Sequence, residues 1–450
     1  MGLVTTLREQ LAAQSLKRQL DRAIKAEQEP FQPSAPVANG AMELPEPGDA
    51  LQRLRSRFEA MPLYQQFKLL RQLGDTLHVQ SPFFRVHEGL VGAHTTIGGR
   101  SYVNFSSYNY LGFSGDPEIS TRAKAAIDHY GTSSSGSRVS GGERPVQHEL
   151  ELALAKVYQT EDCLAFVSGH ATNVTTISSL FGAGDLVVHD ALAHNSIVLG
   201  AESSGAKRLS FPHNDWRALD QLLARARHEY RNVLVAIEGL YSMDGDYPDL
   251  ARFVEVKRRH DAFLYVDEAH SLGVLGATGR GLYEQCGVAP GEVDIWMGTM
   301  SKTLAGCGGF IAGCQPLIDM LRHWAPGFLY STGLPPMLAQ TSLAALEGML
   351  AQPERVASLQ ARGKQFIEEA RAAGLDTGTS AGFAVVPILI GNSVKAAQWG
   401  NALFEAGICA QPIFYPVVPE KTARLRFFLC SMHQPEHITS AVQVMAKLAR

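Results

Sequence analysis

The sequence predicts an α/β protein that has a mainly parallel central sheet and a smaller α+β C-terminal domain. Short apolar runs alternate with amphipathic stretches through the middle of the chain, as in sheets that carry helices on both faces. Strands are expected at 185–189, 232–238, 262–267 and 293–299, and helices at 117–130, 143–158 and 171–181. The 450 residues, 45% hydrophobic and 19% charged, are enough for two or three domains around a large core.

The N-terminal part of the chain is interpreted as three segments. Residues 1–29 have an amphipathic pattern, which predicts a helix that packs on its own protein or on a partner, or else contacts a membrane surface. Residues 30–49 contain five prolines and are expected to form an extended linker. Residues 50–105 should contain a helical stretch interrupted near Pro62, followed by strands and turns.

The rest of the chain is expected to form two domains. A large domain should span residues 106–336, and a C-terminal α+β domain should span 337–450. The C-terminal domain should begin with long helices over 337–372. After them we expect strands at 383–390 and 424–430, and helices at 394–406 and 434–449.

Charge and cysteine content exclude several classes of protein. The 40 basic and 44 acidic residues give a net charge of −4 without a long basic run, which argues against a nucleic-acid-binding protein. The six cysteines form no C-x-x-C pair, so we expect no zinc ribbon and predict no metal site. The longest uncharged stretch, 325–346, contains three prolines, and no secretory signal is recognised, so we expect a cytoplasmic enzyme.

Polar side chains follow two neighbouring strands of the predicted sheet. Asp267 and His270 come after the apolar run that begins at Phe263, and Lys302 comes after the run 293–297. Ligands of open α/β sheets bind beyond the carboxyl ends of the strands, so these side chains should face one site. A lysine amine can bond covalently to the aldehyde of pyridoxal phosphate, and a carboxylate can keep its ring nitrogen protonated. The pair therefore predicts a pyridoxal phosphate site.

Two further segments agree with this interpretation. Ser168, Gly169 and His170 end a predicted strand and begin a helix, where free backbone N–H groups can bind a phosphate. His194 follows another predicted strand and can stack on an aromatic ring. Both features are therefore expected at the same edge of the sheet.

Several motifs, in the order in which they occur here, resemble those of the α-oxoamine synthases, a branch of the fold-type-I pyridoxal phosphate-dependent transferases. The resemblance covers about residues 80–450. The matching motifs are Asn104–Gly112, Gly131–Gly141, Glu238–Asp246, Asp267–His270, Thr299–Lys302 and Tyr330–Thr332. Within the family, Ser107–Gly112 and the pair Gly169-His170 look most like serine palmitoyltransferases and oxoamine synthases associated with polyketide assembly.

The resemblance implies roles for individual residues. Lys302 would carry the cofactor and later move the Cα proton of the substrate, while Asp267 would pair with the ring nitrogen. His194 would stack on the ring, and His270 and Ser242 would bond near its hydroxyl group. The phosphate would be bound by Ser168, Gly169, His170 and Thr299, and by Ser331 and Thr332 of the neighbouring subunit of a homodimer. Tyr108 and Arg426 would contact the amino acid, with Arg426 pairing with its carboxylate.

The activity that the resemblance implies is a decarboxylative condensation of a small amino acid with acyl-CoA or an acyl-carrier protein, which gives an α-amino ketone. Serine, alanine and glycine all stay candidates because two positions point in different directions. Phe414 stands where serine palmitoyltransferases typically have an arginine, and in this the chain resembles the ketobutyrate ligase and aminolevulinate synthase branches instead. Tyr108, by contrast, stands where glycine-using relatives often have asparagine. The alternatives are another fold-type-I enzyme, such as an aminotransferase, and a non-catalytic partner subunit.

Overall fold

The computed structural model describes residues 47–76, 81–414 and 421–450, together with positions 18 and 418. The chain divides into two compact units, Met1–Phe84 and Arg85–Arg450. The helix predicted over 1–29 and most of the linker predicted over 30–49 lie outside the described residues.

The described part of the first unit consists of two helices, α1 at Pro47–Glu59 and α2 at Pro62–Thr76. Each helix begins with a proline, whose missing N–H would have no intrahelical partner in the first turn. The second proline therefore accounts for the interruption expected near position 62. Helix α1 begins at Pro47, so its first residues fall inside the segment 30–49 that is predicted to be a linker. A proline is compatible with the first turn of a helix as well as with a linker.

The second unit begins with a hairpin and then alternates helices and strands. Its first elements are β1 His94–Ile97, β2 Arg100–Asn104, α3 Pro117–Tyr130, α4 Pro145–Tyr158, β3 Asp162–Phe166, α5 Gly169–Leu180, β4 Leu186–Asp190, α6 Asn195–Ser204, β5 Lys207–Phe211 and α7 Trp216–Ala226. Next come β6 Val233–Glu238, α8 Leu250–Arg259, β7 Phe263–Asp267, α9 Leu282–Cys286, β8 Ile295–Thr299, β9 Gly309–Gly313, α10 Gln315–Trp324 and α11 Pro326–Leu329. The last elements are α12 Pro336–Ala351, α13 Pro353–Ala372, β10 Val385–Gly391, α14 Ser393–Glu405, β11 Ile408–Cys409, β12 Gln411–Ile413, β13 Ala423–Phe428 and α15 Pro435–Ala449.

The central sheet has seven strands in the order β3-β9-β8-β7-β6-β4-β5. All neighbours run parallel except β9, which is antiparallel to both β3 and β8. The mainly parallel α/β architecture predicted from the sequence is therefore confirmed. Strand β3 is the strand expected to end before Ser168, whereas β5 and β9 were not predicted. Strand β9 reverses direction because a short turn joins it to β8.

Both faces of this sheet are buried, which explains why its strands are continuously apolar. On β6, the side chains of Val235 and Ile237 pack into one core cluster, whereas those of Leu234 and Ala236 pack into the other. Successive side chains of a strand point to opposite faces, so one apolar run supplies both layers of helices with contacts.

The site is positioned by the carboxyl ends of the parallel strands, which meet at one edge of the sheet. Strands β4, β6, β7 and β8 end at Asp190, Glu238, Asp267 and Thr299. The register pairs Glu238 directly with Asp267. Four polar residues thus lie side by side where four buried strands end.

The C-terminal residues form a small antiparallel sheet in the order β10-β13-β12. A further sheet pairs β1 with β2 antiparallel and β2 with β11 parallel, so residues 94–104 join residues near the end of the chain. Strand β13 carries Arg424 and Arg426, which are both buried. Of the helices that the structure describes, none is long and apolar enough to cross a membrane.

Candidate active site

Lys302 lies in the tight turn between β8 and β9. Met300 N donates to Gly308 O, and Gly306 N donates to Met300 O, both at 2.9 Å. Gly308 has a φ of 131°, and a Cβ at this position would lie 2.5 Å from Phe166 O, so the turn needs a glycine there. The turn therefore holds the lysine at the carboxyl edge of the sheet, as predicted.

The environment of Lys302 makes its amine unusually acidic. The pKa of Lys302 is lowered to about 8, mainly by burial. The negative charges of Asp267 and Glu238 oppose this shift, and the positive charge of Arg426 adds to it. The amine lies 5.5 Å from the centre of the Tyr108 ring. A lysine with this pKa is partly neutral near pH 7, which is the form that reacts with a carbonyl group or accepts a proton.

Asp267 is buried and held by two donors. Its Oδ2 accepts from Asn173 Nδ2 at 2.8 Å, and its Oδ1 accepts from the backbone N–H of Ala269 at 2.9 Å. Asn173 Oδ1 in turn accepts from the hydroxyl of Tyr265 at 2.5 Å. These contacts orient the carboxylate.

The same network reaches His194, which caps the start of α6. Asn173 Nδ2 also donates to Ser196 Oγ at 2.8 Å, and Ser196 Oγ lies 2.7 Å from His194 Nδ1. Ser196 N donates to the same ring nitrogen at 3.3 Å. Burial and the nearby Lys302 lower the pKa of His194, which keeps the imidazole neutral. A neutral, oriented ring suits the stacking role that the resemblance implies.

The start of α5 forms a close-packed cradle. Ser168 caps the helix by accepting from Ala171 N at 3.4 Å. A Cβ on Gly169 would lie 2.8 Å from Thr299 Oγ1, so only a glycine lets the helix start approach the end of β8 this closely. Thr299 Oγ1 donates to Gly308 O at 3.0 Å. His170 is exposed, with its ring centre 6.3 Å from that of His194.

His270 is buried beside Tyr110. Its Nδ1 lies 2.7 Å from the hydroxyl of Tyr110. Burial lowers the pKa of His270 well below its ordinary value, and the positive charges of Lys302 and Arg426 act in the same direction. The ring is therefore neutral and held by a residue that the sequence analysis did not single out, although Tyr110 lies inside one of the quoted motifs.

Arg426 reaches the site from β13. Its Nη1 donates to Ser242 O and contacts Met243 Sδ, at 3.2 and 3.3 Å. The guanidinium carbon lies 4.5 Å from the centre of the Phe428 ring. Its Nε is buried and has no hydrogen-bond partner among the described residues. Arg426 thus keeps a free donor, while Ser242 contributes its backbone carbonyl to hold the arginine.

Tyr108 forms part of the wall of an open cavity. The cavity measures about 390 Å³, and its lining includes Lys302 and the neighbouring Ser301. Tyr108 packs edge-on against Phe428, with ring centres 4.7 Å apart, and against His270 at 5.8 Å. Its ring therefore separates the lysine from the side chains of the C-terminal sheet.

Ser331 and Thr332 lie apart from the cluster described so far. Ser331 is half-buried and Thr332 is exposed, and an isolated antiparallel bridge joins Thr332 to Ser137. The contact of both hydroxyls with a neighbouring subunit's cofactor stays a prediction.

The structure also reveals residues that sequence reasoning missed. Asn173 stands four positions after Gly169 in α5, so a helical periodicity test could have placed it on the face of the site. Glu238 ends β6 beside Asp267, and burial together with that neighbour raises its pKa well above the ordinary value. Its Oε1 has no partner among the described residues. The raised pKa keeps the carboxyl group of Glu238 neutral at neutral pH.

The residues at this edge fit pyridoxal phosphate. The helix start at Gly169 offers free N–H groups for the phosphate, and the oriented Asp267 suits a protonated ring nitrogen. Lys302 has the lowered pKa that bonding to an aldehyde requires. Within the described residues, no group of three or more His, Cys, Asp and Glu side chains could hold a metal ion.

Comparison with known proteins relates the chain to an aminotransferase family and to two kinds of synthase and transferase. The family described as aminotransferase class I and II matches residues 100–445. The 8-amino-7-oxononanoate synthase of Treponema denticola is 36% identical over 363 residues, which cover 81% of this chain and 91% of the relative. A putative 8-amino-7-oxononanoate synthase of Cyanothece sp. is 38% identical, with 81% and 92% of the two chains covered. The structure of a serine palmitoyltransferase variant from S. paucimobilis with PLP and myriocin bound superposes with a TM-score of 0.83 at 29% identity, covering 87% of this chain and 98% of that one.

Proposed function

The chain belongs to the α-oxoamine synthases within the class I and II aminotransferase family, and we propose that it condenses a small amino acid with an acyl thioester. It is a pyridoxal phosphate-dependent acyltransferase. The bound cofactor acts as an electron sink that stabilises negative charge at the amino acid's Cα. The observation that carries the proposal is the position of Lys302, a half-buried lysine with a lowered pKa in the wall of a cavity of about 390 Å³.

The residues of the site divide the work of the reaction. Asp267 would keep the cofactor's ring nitrogen protonated, and its two hydrogen-bond donors hold the carboxylate in one orientation. Lys302 would hold the cofactor in the resting enzyme and later accept the Cα proton, because its lowered pKa allows a neutral amine. The N-terminus of α5 at Ser168 and Gly169 would bind the phosphate, with Thr299 and His170 beside it.

The amino acid is held by its carboxylate in this proposal. The partnerless Nε of Arg426 is a charged donor inside the site, and a carboxylate would satisfy it. His194 and His270 are both neutral and would contact the cofactor's face and hydroxyl edge. Ser242 would assist at the same edge.

Alanine is the amino acid that we favour. The relatives are 8-amino-7-oxononanoate synthases, and this name describes a product with an amino group next to a ketone and a methyl carbon beyond it. Condensation of alanine with an acyl group gives this arrangement. Tyr108 in the cavity wall and Phe414 in the loop before β13 distinguish this chain from relatives that use other amino acids, so serine and glycine belong in the test.

The second substrate is an acyl group on coenzyme A or on an acyl-carrier protein. The cavity beside Lys302 gives the thioester carbon a route to the site. We further propose a homodimer in which Ser331 and Thr332 contact the neighbouring subunit's cofactor, and a cytoplasmic location.

A spectral titration followed by product analysis tests the proposal. Alanine should perturb the absorbance of the bound cofactor, and addition of acyl-CoA or acyl-carrier protein should then release carbon dioxide and an α-amino ketone identified by mass spectrometry. Lys302→Ala should abolish turnover, whereas Lys124→Ala, which changes an exposed lysine, should retain it.

Two outcomes would refute the proposal. If alanine, serine and glycine all leave the spectrum unchanged, the substrate class is wrong. If pyruvate forms from alanine in amounts that match the cofactor while no thioester yields a ketone, the chain is an aminotransferase.

A further inference from the structure

One imidazole joins two loops of the site without belonging to the cofactor cluster. His213 follows β5 and lies between Asp190, at the end of β4, and Asp246, in the loop after β6. Its Nδ1 is 2.9 Å from Asp190 Oδ1, and its Nε2 is 2.9 Å from Asp246 Oδ2. The side chains of Asp190 and Asp246 are 0% and 13% exposed. The histidine therefore bridges a buried carboxylate at a strand end and a largely buried carboxylate in a loop.

The bridge requires a charged imidazole. Burial alone would lower the pKa of His213, but the hydrogen bonds to Asp190 and Asp246 outweigh it and raise the pKa to about 10. Both ring nitrogens then donate at neutral pH. The edge of the ring packs at right angles to Tyr241, with ring centres 4.4 Å apart. Without the positive charge of the imidazole, nothing in the bridge would offset the repulsion between the two acidic side chains.

The Asp190 side of the bridge shapes the turn that leads to His194. Asp190 Oδ1 accepts from Leu192 N at 2.8 Å, and Asp190 O accepts from Ala193 N at 3.0 Å. Asp190 Oδ2 accepts from the backbone of Asn214 at 2.7 Å. Asp190 thus bonds two of the three residues that precede His194, Leu192 through its carboxylate and Ala193 through its backbone carbonyl.

The Asp246 side shapes the loop that supports Arg426. Tyr241 N donates to Asp246 O, and Gly245 N donates to Tyr241 O, both at 2.9 Å, which closes the loop on itself. Within this loop, Ser242 O accepts from Arg426 Nη1 at 3.2 Å. A shift of Asp246 would therefore move the carbonyl group that holds the arginine.

We propose that His213 is a positioning residue that holds the His194 turn and the Ser242 loop in one arrangement, and through the loop supports Arg426. The part that concerns Arg426 rests on the proposed function, because that residue is assigned to the amino-acid carboxylate there. The part that concerns His194 depends only on the cofactor.

A second buried histidine pair supplies the control for a purely structural role. His260 Nε2 lies 2.7 Å from Asp220 Oδ1. His260 ends α8 and stands before the first residue of β7, at the edge of the sheet opposite the site. Loss of this pair should affect stability alone.

The experiment compares His213→Gln with His260→Gln as holoenzymes. For each we would measure the unfolding temperature, the dissociation constant of pyridoxal phosphate, and the dissociation constants of alanine, serine and glycine from the cofactor spectrum. His213→Gln should weaken cofactor binding about tenfold, shift the cofactor absorption band, and weaken binding of the amino acid that the wild type accepts by about tenfold or more. His260→Gln should lower only the unfolding temperature.

The proposal is wrong if folded His213→Gln keeps the wild-type constants for cofactor and amino acid. Should this variant fail to fold, Asp246→Asn removes one arm of the bridge, and unchanged constants there would overturn the proposal equally. If the wild type binds none of the three amino acids, the proposed function fails, while the cofactor constant and the absorption band still decide the role of His213.

Discussion

Lys302 of the cofactor-free protein should react as a neutral amine at a pH where ordinary lysines are protonated. Its pKa is lowered from 10.5 to about 8 by burial. At pH 7 this shift raises the neutral fraction from about 0.03% to about 9%, a gain of about 300-fold. The gain is large enough to measure on the amine itself, without catalysis.

Competitive acylation measures this quantity. Cofactor-free protein is treated with a limiting amount of a small acylating reagent between pH 6 and 11, and the labelled peptide containing Lys302 is quantified by mass spectrometry. The exposed Lys124 in the same sample corrects for the activity of the reagent. Labelling of Lys302 should reach half of its maximum near pH 8.

Two variants test the cause of the shift, because the charges around the amine act in opposite directions. Asp267 raises the pKa of Lys302, so Asp267→Asn should move the midpoint below 8. Arg426 lowers the same pKa, so Arg426→Gln should move the midpoint upward. A wild-type midpoint near 10.5, or shifts of the same sign in both variants, would refute the reasoning.

Three further outcomes follow from individual contacts. Arg426→Gln removes a charged donor and should weaken amino-acid binding by about 10- to 150-fold in a spectral titration; an unchanged constant would contradict the carboxylate role. Gly169→Ala places a Cβ 2.8 Å from Thr299 Oγ1 and should weaken cofactor binding in ultrafiltration, whereas Gly182→Ala, with no contact under 3.8 Å, should not. Burial lowers the pKa of His433 from 6.5 to about 3. The unfolded chain therefore binds a proton that the folded chain rejects, and stability should fall by about 2 kcal/mol between pH 8 and 5. His433→Gln should flatten this slope in urea unfolding, and an unchanged slope would count against it.

The proximity of Lys302 to Asp267 illustrates how far sequence reasoning reaches. Both residues follow short apolar runs, and parallel strands bring their carboxyl ends to one edge, so proximity could be inferred from pattern alone. The same logic predicted the position of His194 and the helix start at Gly169. The roles of individual site residues, including Ser331 and Thr332 at a subunit contact, stay predictions.

Other contacts could not be inferred, because they join residues far apart in the chain. Nothing in the local pattern around Asn173 indicates that its amide bonds both Asp267 and Ser196. Strand β9 was equally hidden, because its glycine-rich run Gly309–Gly313 was not recognised as a strand; its antiparallel direction follows from the short connection to β8 only once the strand is known. His213 looks like an ordinary loop residue until Asp190 and Asp246 are seen on either side of it.

Periodicity, strand-end polarity and motif order were sufficient to identify the α/β class and the cofactor, and to predict Lys302 and Asp267 as the principal lysine and acid. These features follow from backbone geometry, which repeats every few residues and therefore leaves a local trace in the amino-acid order. The protonation states of Lys302, Glu238 and His213 emerged only from the folded chain. They depend on how completely water is removed and on which charges then face one another, and both are consequences of packing between segments that are distant in sequence.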